Sequence, residues 1–168
     1  MAEQSRGKLL EFIGREINGP FMRLGMGFSS MAGNMNPQEQ TRTYINDFSS
    51  TTTTGYQPEW PMDGNIYNGD PANDLLYDMT WNRVRGDDAT VYLVRVKGWE
   101  EGDAPGSFKA YRQFCNWAPG SDGGGAGGED NTFSGTLRAK GDKVDGEAVI
   151  TRDPNTGFET CVFTANDQ

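Results

Sequence analysis

The stretch Tyr67–Val96, YNGDPANDLLYDMTWNRVRGDDATVYLVRV, decides how the rest of the chain is read. Asp70 is a good N-cap, because its short carboxylate accepts from the free backbone N–H groups of a helix's first turn. Pro71 follows at the first helical position, where a missing N–H costs nothing. Asp74 adds negative charge near the positive end of the helix dipole. Ala72, Leu75, Leu76 and Met79 recur at i, i+3, i+4 and i+7 and form one apolar stripe. The pattern predicts a helix over about residues 71–82, with Asp70 as its cap and Leu75, Leu76 and Met79 on its inner face. Gly86-Asp87-Asp88 is suited to stop it in a turn. Thr90–Lys97, TVYLVRVK, is β-branched and aromatic and predicts a strand. Everything outside this stretch reads as strand, turn and polar loop, so the chain is one helix docked on a β protein.

Upstream, residues 1–19 suit either a short amphipathic helix through Leu9, Leu10, Phe12, Ile13 and Ile17 or a flexible arm, and Gly14 and Gly19 weaken the helix. Residues 21–30 alternate Met22, Leu24, Met26 and Phe28 against Phe21, Arg23, Gly25 and Gly27, a strand with one small, flat face. Thr41–Phe48 alternates again. The run Ser49–Thr54, SSTTTT, is either a linker or a β segment. Glu59–Tyr67 is a strand candidate that Pro61 and Gly64 mark as an edge or a bent strand. Downstream come a polar loop at 98–106, a strand at Ser107–Trp117 and the Gly-rich acidic loop 119–131, PGSDGGGAGGEDN. A strand at Thr132–Arg138 follows. Glu147–Thr151 and Phe158–Thr164 then flank Asp153-Pro154-Asn155-Thr156-Gly157 as a hairpin. No internal repeat and no second domain is visible, so residues 1–168 read as a single domain.

Composition narrows the function. The 168 residues are 35% apolar, with 23 glycines and a formal net charge of −9. A chain of this sign is a poor tight binder of nucleic acid, since phosphate binding needs Lys and Arg to replace counterions. It suits a surface that DNA slides past, and equally plain solubility. No apolar run is long enough to span a bilayer, and the mixed-charge N-terminus has no signal-peptide core. Cys115 and Cys161 sit in apolar strand-like contexts and read as reduced core thiols or as one disulfide. The absence of His removes His-based triads, His metal sites and the usual proton shuttle. The Gly-rich loop lacks the GK[ST] of a phosphate cradle. Its Asp122, Glu129 and Asp130 suggest calcium only weakly, against a plain solvated loop. The pairs Asp87-Asp88 and Glu100-Glu101 sit in turns and suit solvation better than catalysis. Neither a catalytic residue, a metal site nor a cofactor is expected.

The order and spacing of several short pieces resemble the major tail tube proteins of long-tailed bacteriophages, of the type found in phages of Firmicutes. The pieces are Arg23-Leu24-Gly25-Met26-Gly27, Met35-Asn36-Pro37, Tyr44-Ile45 with the Thr cluster, and Gly55-Tyr56-Gln57-Pro58. Then come Tyr67 with Gly69-Asp70-Pro71, Gly86-Asp87-Asp88-Ala89, and the Gly-rich loop with Thr136-Leu137 and Gly141-Asp142. Gly146 and Asp153-Pro154 with Thr156-Gly157-Phe158 complete the pattern, which spans roughly residues 20–164. The resemblance implies a fold similar to type VI secretion tube proteins: a mainly β, two-sheet sandwich or barrel with one flanking helix and long loops. It also implies hexameric rings that stack into a tube conducting DNA. The partners it implies are other copies of the chain, a tape measure protein, a tail-tip initiator and a tail terminator. The implied location is the virion tail, with assembly in the host cytoplasm and no membrane.

On that reading a lumen wall needs polar, non-sticky faces. Thr41, Thr43, Thr52, Thr54, Ser134, Thr136, Glu147 and Thr151 are the candidates, with Met26, Phe28, Ile45, Phe133 and Leu137 turned to the core. Leu9 and Phe12 in the N-terminal arm, and Gly120, Asp122 and Glu129 in the Gly-rich loop, are candidates for stacking one ring on the next. The rival reading is a carbohydrate-binding β-sandwich of a virion or cell surface, which needs an aromatic platform from Trp60, Trp81, Trp99 or Trp117.

Overall fold

In the computed structural model, residues 1–46 and 48–166 are described. Eleven strands and one α-helix follow in the order β1 (Leu9–Gly14), β2 (Phe21–Leu24), β3 (Phe28–Met31), β4 (Pro37–Thr43), β5 (Ser49–Tyr56), β6 (Glu59–Asn65), α1 (Pro71–Trp81), β7 (Thr90–Glu101), β8 (Ser107–Ser121), β9 (Thr132–Ala139), β10 (Val144–Arg152) and β11 (Glu159–Ala165). Short 3-10 turns precede β1 at Arg6–Lys8 and β7 at Gly86–Ala89.

The main sheet runs β10-β11-β2-β1-β7-β8-β9-β6-β3. It curls until β10 also pairs with β8, Val144 opposite Arg112 and Val149 opposite Ser107, which closes a six-stranded barrel. Strands β9, β6 and β3 continue beyond the closure as an open extension. Strands β4 and β5 form a separate two-stranded ribbon. The protein is therefore mainly β with one flanking helix, and its second layer is a barrel wall rather than a second flat sheet.

Alternation along β1 and β7 builds two cores, one on each face of the same strands. Phe12, Val94 and Val96 point into the barrel with Phe21, Ala148 and Cys161. Ile13, Val91 and Leu93 point the other way, under the helix, with Trp60, Met62, Leu76, Met79, Trp117 and Leu137. Cys115 lies in this second core, so the two cysteines are free thiols on opposite faces of the sheet.

The helix starts as the sequence predicts. The Asp70 carboxylate accepts from the Asn73 N–H at 3.0 Å, and Pro71 occupies the first turn. Ala72, Leu76 and Met79 are buried, whereas Leu75 is half-exposed at the margin. The inner face also carries Asn73 and Thr80. Thr80 Oγ1 donates to the Leu76 carbonyl at 2.8 Å and accepts from Trp117 Nε1 at 2.9 Å, which ties the helix to β8. The helix ends at Trp81, short of Gly86: Asn82 is its C-cap and Arg83 takes the left-handed conformation, φ 51°.

Several expectations change. Leu9–Gly14 is a strand between β2 and β7, neither a helix nor an arm. Its apolar residues satisfy a strand on a twisted wall because both of its faces are covered. Residues 21–30 are two strands separated by a turn, where Gly27 at φ +85° lies against Asn73; a Cβ there would come within 2.8 Å of Asn73 Nδ2. Met26, in that turn, and Ile45, at the ribbon tip, are exposed rather than core. β6 is not an edge, since β9 and β3 flank it. The Gly-rich loop is shorter than 119–131, because β8 runs on to Ser121.

Candidate functional site

The extension has one apolar and one polar face. On β9, Phe133, Gly135 and Leu137 are buried on the helix side, and Gly135 leaves room for the Trp117 ring, which an added Cβ would overlap. The alternate residues Thr132, Ser134, Thr136 and Arg138 face outward. Register places Asp63 beside Ser134, Pro61 beside Thr136 and Glu59 beside Arg138, with Ser30 next to Asp63 on β3. Glu59 and Arg138 pair at 3.5 Å. The result is a flat wall of small hydroxyl side chains with one paired cation and the exposed Asp63 carboxylate.

This sheet also has two free edges among the described residues. β3 pairs only with β6. On β8, the pairing with β7 reaches no further than Asn116 opposite Thr90, so Trp117–Ser121 bond on one side only, to β9. Unpaired edges of this kind invite another strand.

Ser134 and Thr136 share the polar wall, and the other lumen candidates do not. Thr41, Thr43, Thr52 and Thr54 belong to the ribbon. There Thr41 opposes Thr51 while Thr52 opposes Gln40, so Thr41 and Thr52 point to opposite faces. Thr151 lies exposed near the end of β10, on the outside of the barrel. Glu147 is committed elsewhere. Its carboxylate accepts from the Asp103 N–H, from the Ala104 N–H at 3.3 Å and from Ser107 Oγ at 3.1 Å, which staples the β7–β8 turn. The Asp103 N–H, first among these donors, holds Glu147 below the usual carboxylate range.

Of the stacking candidates, Phe12 is excluded as a surface residue because it fills the barrel. Leu9 is half-buried at the start of β1. The residues before it are pinned: Arg6 reaches the buried Glu11 carboxylate at 2.9 Å and the Met31 carbonyl at 3.2 Å. Gly120, Asp122 and Glu129 are exposed as expected.

Sequence reading missed the ribbon as a projecting device. Every residue of β4 is exposed on both faces, and Tyr44, Ile45 and Phe48 stand out at its tip. Its signal was present in the unbroken hydroxyl run Ser49–Thr54, which has no apolar face to bury. The sugar-binding alternative loses its platform, because Trp60 and Trp117 are core while Trp81 and Trp99 lie on different elements. Among the described residues no helix is long and apolar enough to cross a membrane, and no group of three His, Cys, Asp or Glu residues is placed to hold a metal ion.

No protein-family model matches the chain, and no curated protein matches it in sequence. Solved structures do match in fold. The tail of an empty GTA particle, refined with C6 symmetry, superposes with a TM-score of 0.59 at 10% identity over 84% of this chain and 97% of that one. The fold is that of a phage-like tail tube. The anti-feeding prophage cap, a tube-terminating cap, shares this tail-tube fold with a TM-score of 0.52 at 14% identity, over 83% of this chain and 91% of that one. The sheath/tube terminator assembly of an extracellular contractile injection system contains it too, with a TM-score of 0.51 at 11% identity over 86% and 97% of the two chains.

Proposed function

We propose that this chain is a structural subunit of a virion tail: six copies join edge to edge into a ring, rings stack into a tube, and DNA passes through it. The observation that carries this reading is the open extension with its two free edges and its polar wall. Joining β3 of one copy to the end of β8 of the next pairs both edges at once. Such a contact uses two different surfaces, and it gives a ring where its rotation closes. The number six comes from the likeness to a tail with C6 symmetry. The wall of Ser134, Thr136 and Asp63 then faces the lumen, where a duplex finds few cations to hold it.

The ribbon supports the second step. A two-stranded hairpin alone is marginal in water, and this one ends in exposed aromatic and aliphatic side chains, so a neighbouring ring is its natural cover. A tail-tip initiator begins the stack, a tape measure protein fills it, and a terminator closes it. Assembly takes place in the host cytoplasm and the product resides in the tail. No catalytic step and no cofactor enters this role. Size-exclusion chromatography with negative-stain microscopy tests it. Rings or tubes of regular width are the expected result, and a strictly monomeric chain, alone and with tail-tip extract, refutes it.

A further inference from the structure

The β3 edge carries a side chain from elsewhere in the same chain. Asn34 and Glu59 exchange both backbone hydrogen bonds, each at 2.8 Å. In an antiparallel ladder such pairs alternate with pairs that exchange none. Counting back from Asn34 in the same register, Met31 opposite Met62 is a pair that exchanges none. The N–H and C=O of Met31 therefore point away from β6, out of the free edge of the sheet. They are the groups that an arriving strand must bond.

Arg6 is already there. Its Nη2 donates to the Met31 carbonyl at 3.2 Å. Arg6 and Gly7, in the 3-10 turn before β1, line a groove of about 180 Å³ together with Phe28, Ser29, Ser30 and Met31. A strand paired with β3 stands about 4.8 Å from it, so it has to enter this groove and take the place of the guanidinium. Covering an edge with a loop is one of the ways proteins keep strands of other copies off it.

The contact is removable. The same guanidinium donates to the Leu9 carbonyl at 2.8 Å and to the Glu11 carboxylate at 2.9 and 3.3 Å, so leaving Met31 gives up one bond of four. The Arg6 side chain is more than half exposed and free to swing, whereas Glu11 is buried. Arg95 also holds the Glu11 carboxylate, at 3.2 Å, so Glu11 keeps a cation when Arg6 moves or is replaced. Neutralising Glu11 therefore does not account for the bond to Met31.

We propose that Arg6 is a releasable guard of the β3 edge: it occupies the Met31 carbonyl while the subunit is single, and it moves off when the end of β8 of another copy pairs there. This rests on the reading of β3 and the end of β8 as the ring joint, and it adds the step that keeps single subunits apart. The guard sets a threshold. Two copies join only where the new edge pairing outweighs the bond that Arg6 gives up.

Two experiments test the guard. Arg6→Ala removes it and leaves Arg95 on Glu11. With unchanged circular dichroism, this variant is expected to form rings or tubes at a concentration about tenfold below that of the wild type, the worth of one charge-assisted hydrogen bond. Light scattering with negative-stain microscopy reads that threshold. An unchanged threshold beside a wild type that assembles overturns the guard and leaves the tail-tube reading intact. A raised threshold assigns Arg6 to the joint itself and overturns the guard as well. If neither chain assembles, even with tail-tip extract, the ring reading is refuted and the guard with it. The second experiment uses the wild type, so it decides the matter even where Arg6→Ala does not fold. With isotope labels on the arginine guanidinium nitrogens and the methionine carbonyl carbons, solid-state NMR reads the Arg6–Met31 contact directly. The contact is expected in the sedimented single subunit and lost in tubes. Its absence from the single subunit, or equal strength in tubes, overturns the proposal.

Discussion

At the scale of single residues, the helix is held by a few polar groups as much as by its apolar stripe. Asn73 is fully buried, yet its amide donates to the Asn65 carbonyl at 3.0 Å and accepts from the Tyr67 N–H at 3.1 Å. Asn73→Ala strands both backbone groups and is expected to cost about 1–3 kcal/mol in urea denaturation. Leu76→Ala empties a closed site and should cost about 2–5 kcal/mol by the same measurement, while Leu75→Ala, at the margin, costs clearly less. Asp70 and Glu147 respond to pH in opposite senses. Burial, the largest influence on Asp70, raises its carboxyl above the ordinary 3.8 despite the Asn73 N–H. In the window above 3.8 the folded state therefore binds the proton more tightly, and the contribution of Asp70 to stability falls as pH rises. Asp70→Asn keeps a cap without the buried charge and should match or exceed the wild type at neutral pH, whereas Asp70→Ala loses about 0.5–2 kcal/mol. Glu147 lies below its ordinary 4.5, chiefly through the Asp103 N–H, so its staple is complete above 4.5 and lost as pH falls through the lowered value. The Ala104 amide resonance should shift through that acid window in the wild type and stay flat in Glu147→Gln.

At the scale of elements, the ribbon and the barrel are separable. Among the described residues β4 and β5 pair only with each other, so replacing Pro37–Tyr56 by a short Gly-Ser turn should leave the thermal unfolding of the remainder unchanged while stopping assembly. Loss of cooperative unfolding in that deletion would show that the ribbon belongs to the fold. The elements that were legible in the sequence are those whose signal is local. Asp70-Pro71 announces a helix start by cap chemistry alone, and Thr90–Lys97 announces a strand by composition. The terminal hairpin follows from the Asp153-to-Gly157 turn, and its strands pair with Thr151 opposite Thr160. What was not legible depends on partners far away in sequence. Leu9–Gly14 looks helical or loose until both its faces are covered by two different cores. The helix ends at Trp81, before Gly86, and Arg83 rather than a glycine takes the left-handed conformation beyond its cap. Among the candidate lumen residues, Ser134 and Thr136 were readable from alternation, but their neighbour Asp63 was not. Only the β6–β9 register brings it beside Ser134. Glu147 looked like a free acid because its three donors lie about 40 residues away.

At the scale of the whole molecule, the charge distribution suits the proposed transit of DNA better than tight binding of it. The proposed six-membered ring would carry six times a formal charge of −9, within which each polar wall presents Asp63 and a neutralised Glu59–Arg138 pair. On that proposal, phosphates passing such a wall would displace few counterions and so meet little to hold them and little that depends on salt. Ser134→Lys/Thr136→Lys reverses this while leaving the buried alternates Phe133 and Leu137 in place. Both positions accept a long side chain only if they face open space. Tubes from this variant are therefore expected to form at normal width. Each ring then presents twelve added ammonium groups to a duplex, and ejection from particles that carry the variant should slow at low ionic strength and recover as salt is raised. The matched control is Thr41→Lys/Thr43→Lys on the ribbon, which adds the same charge outside the wall and should leave ejection unchanged. If the ribbon variant slows ejection and the wall variant does not, the lumen is lined by the ribbon instead. If neither alters the salt dependence, the conduit is bounded by some other face of the molecule.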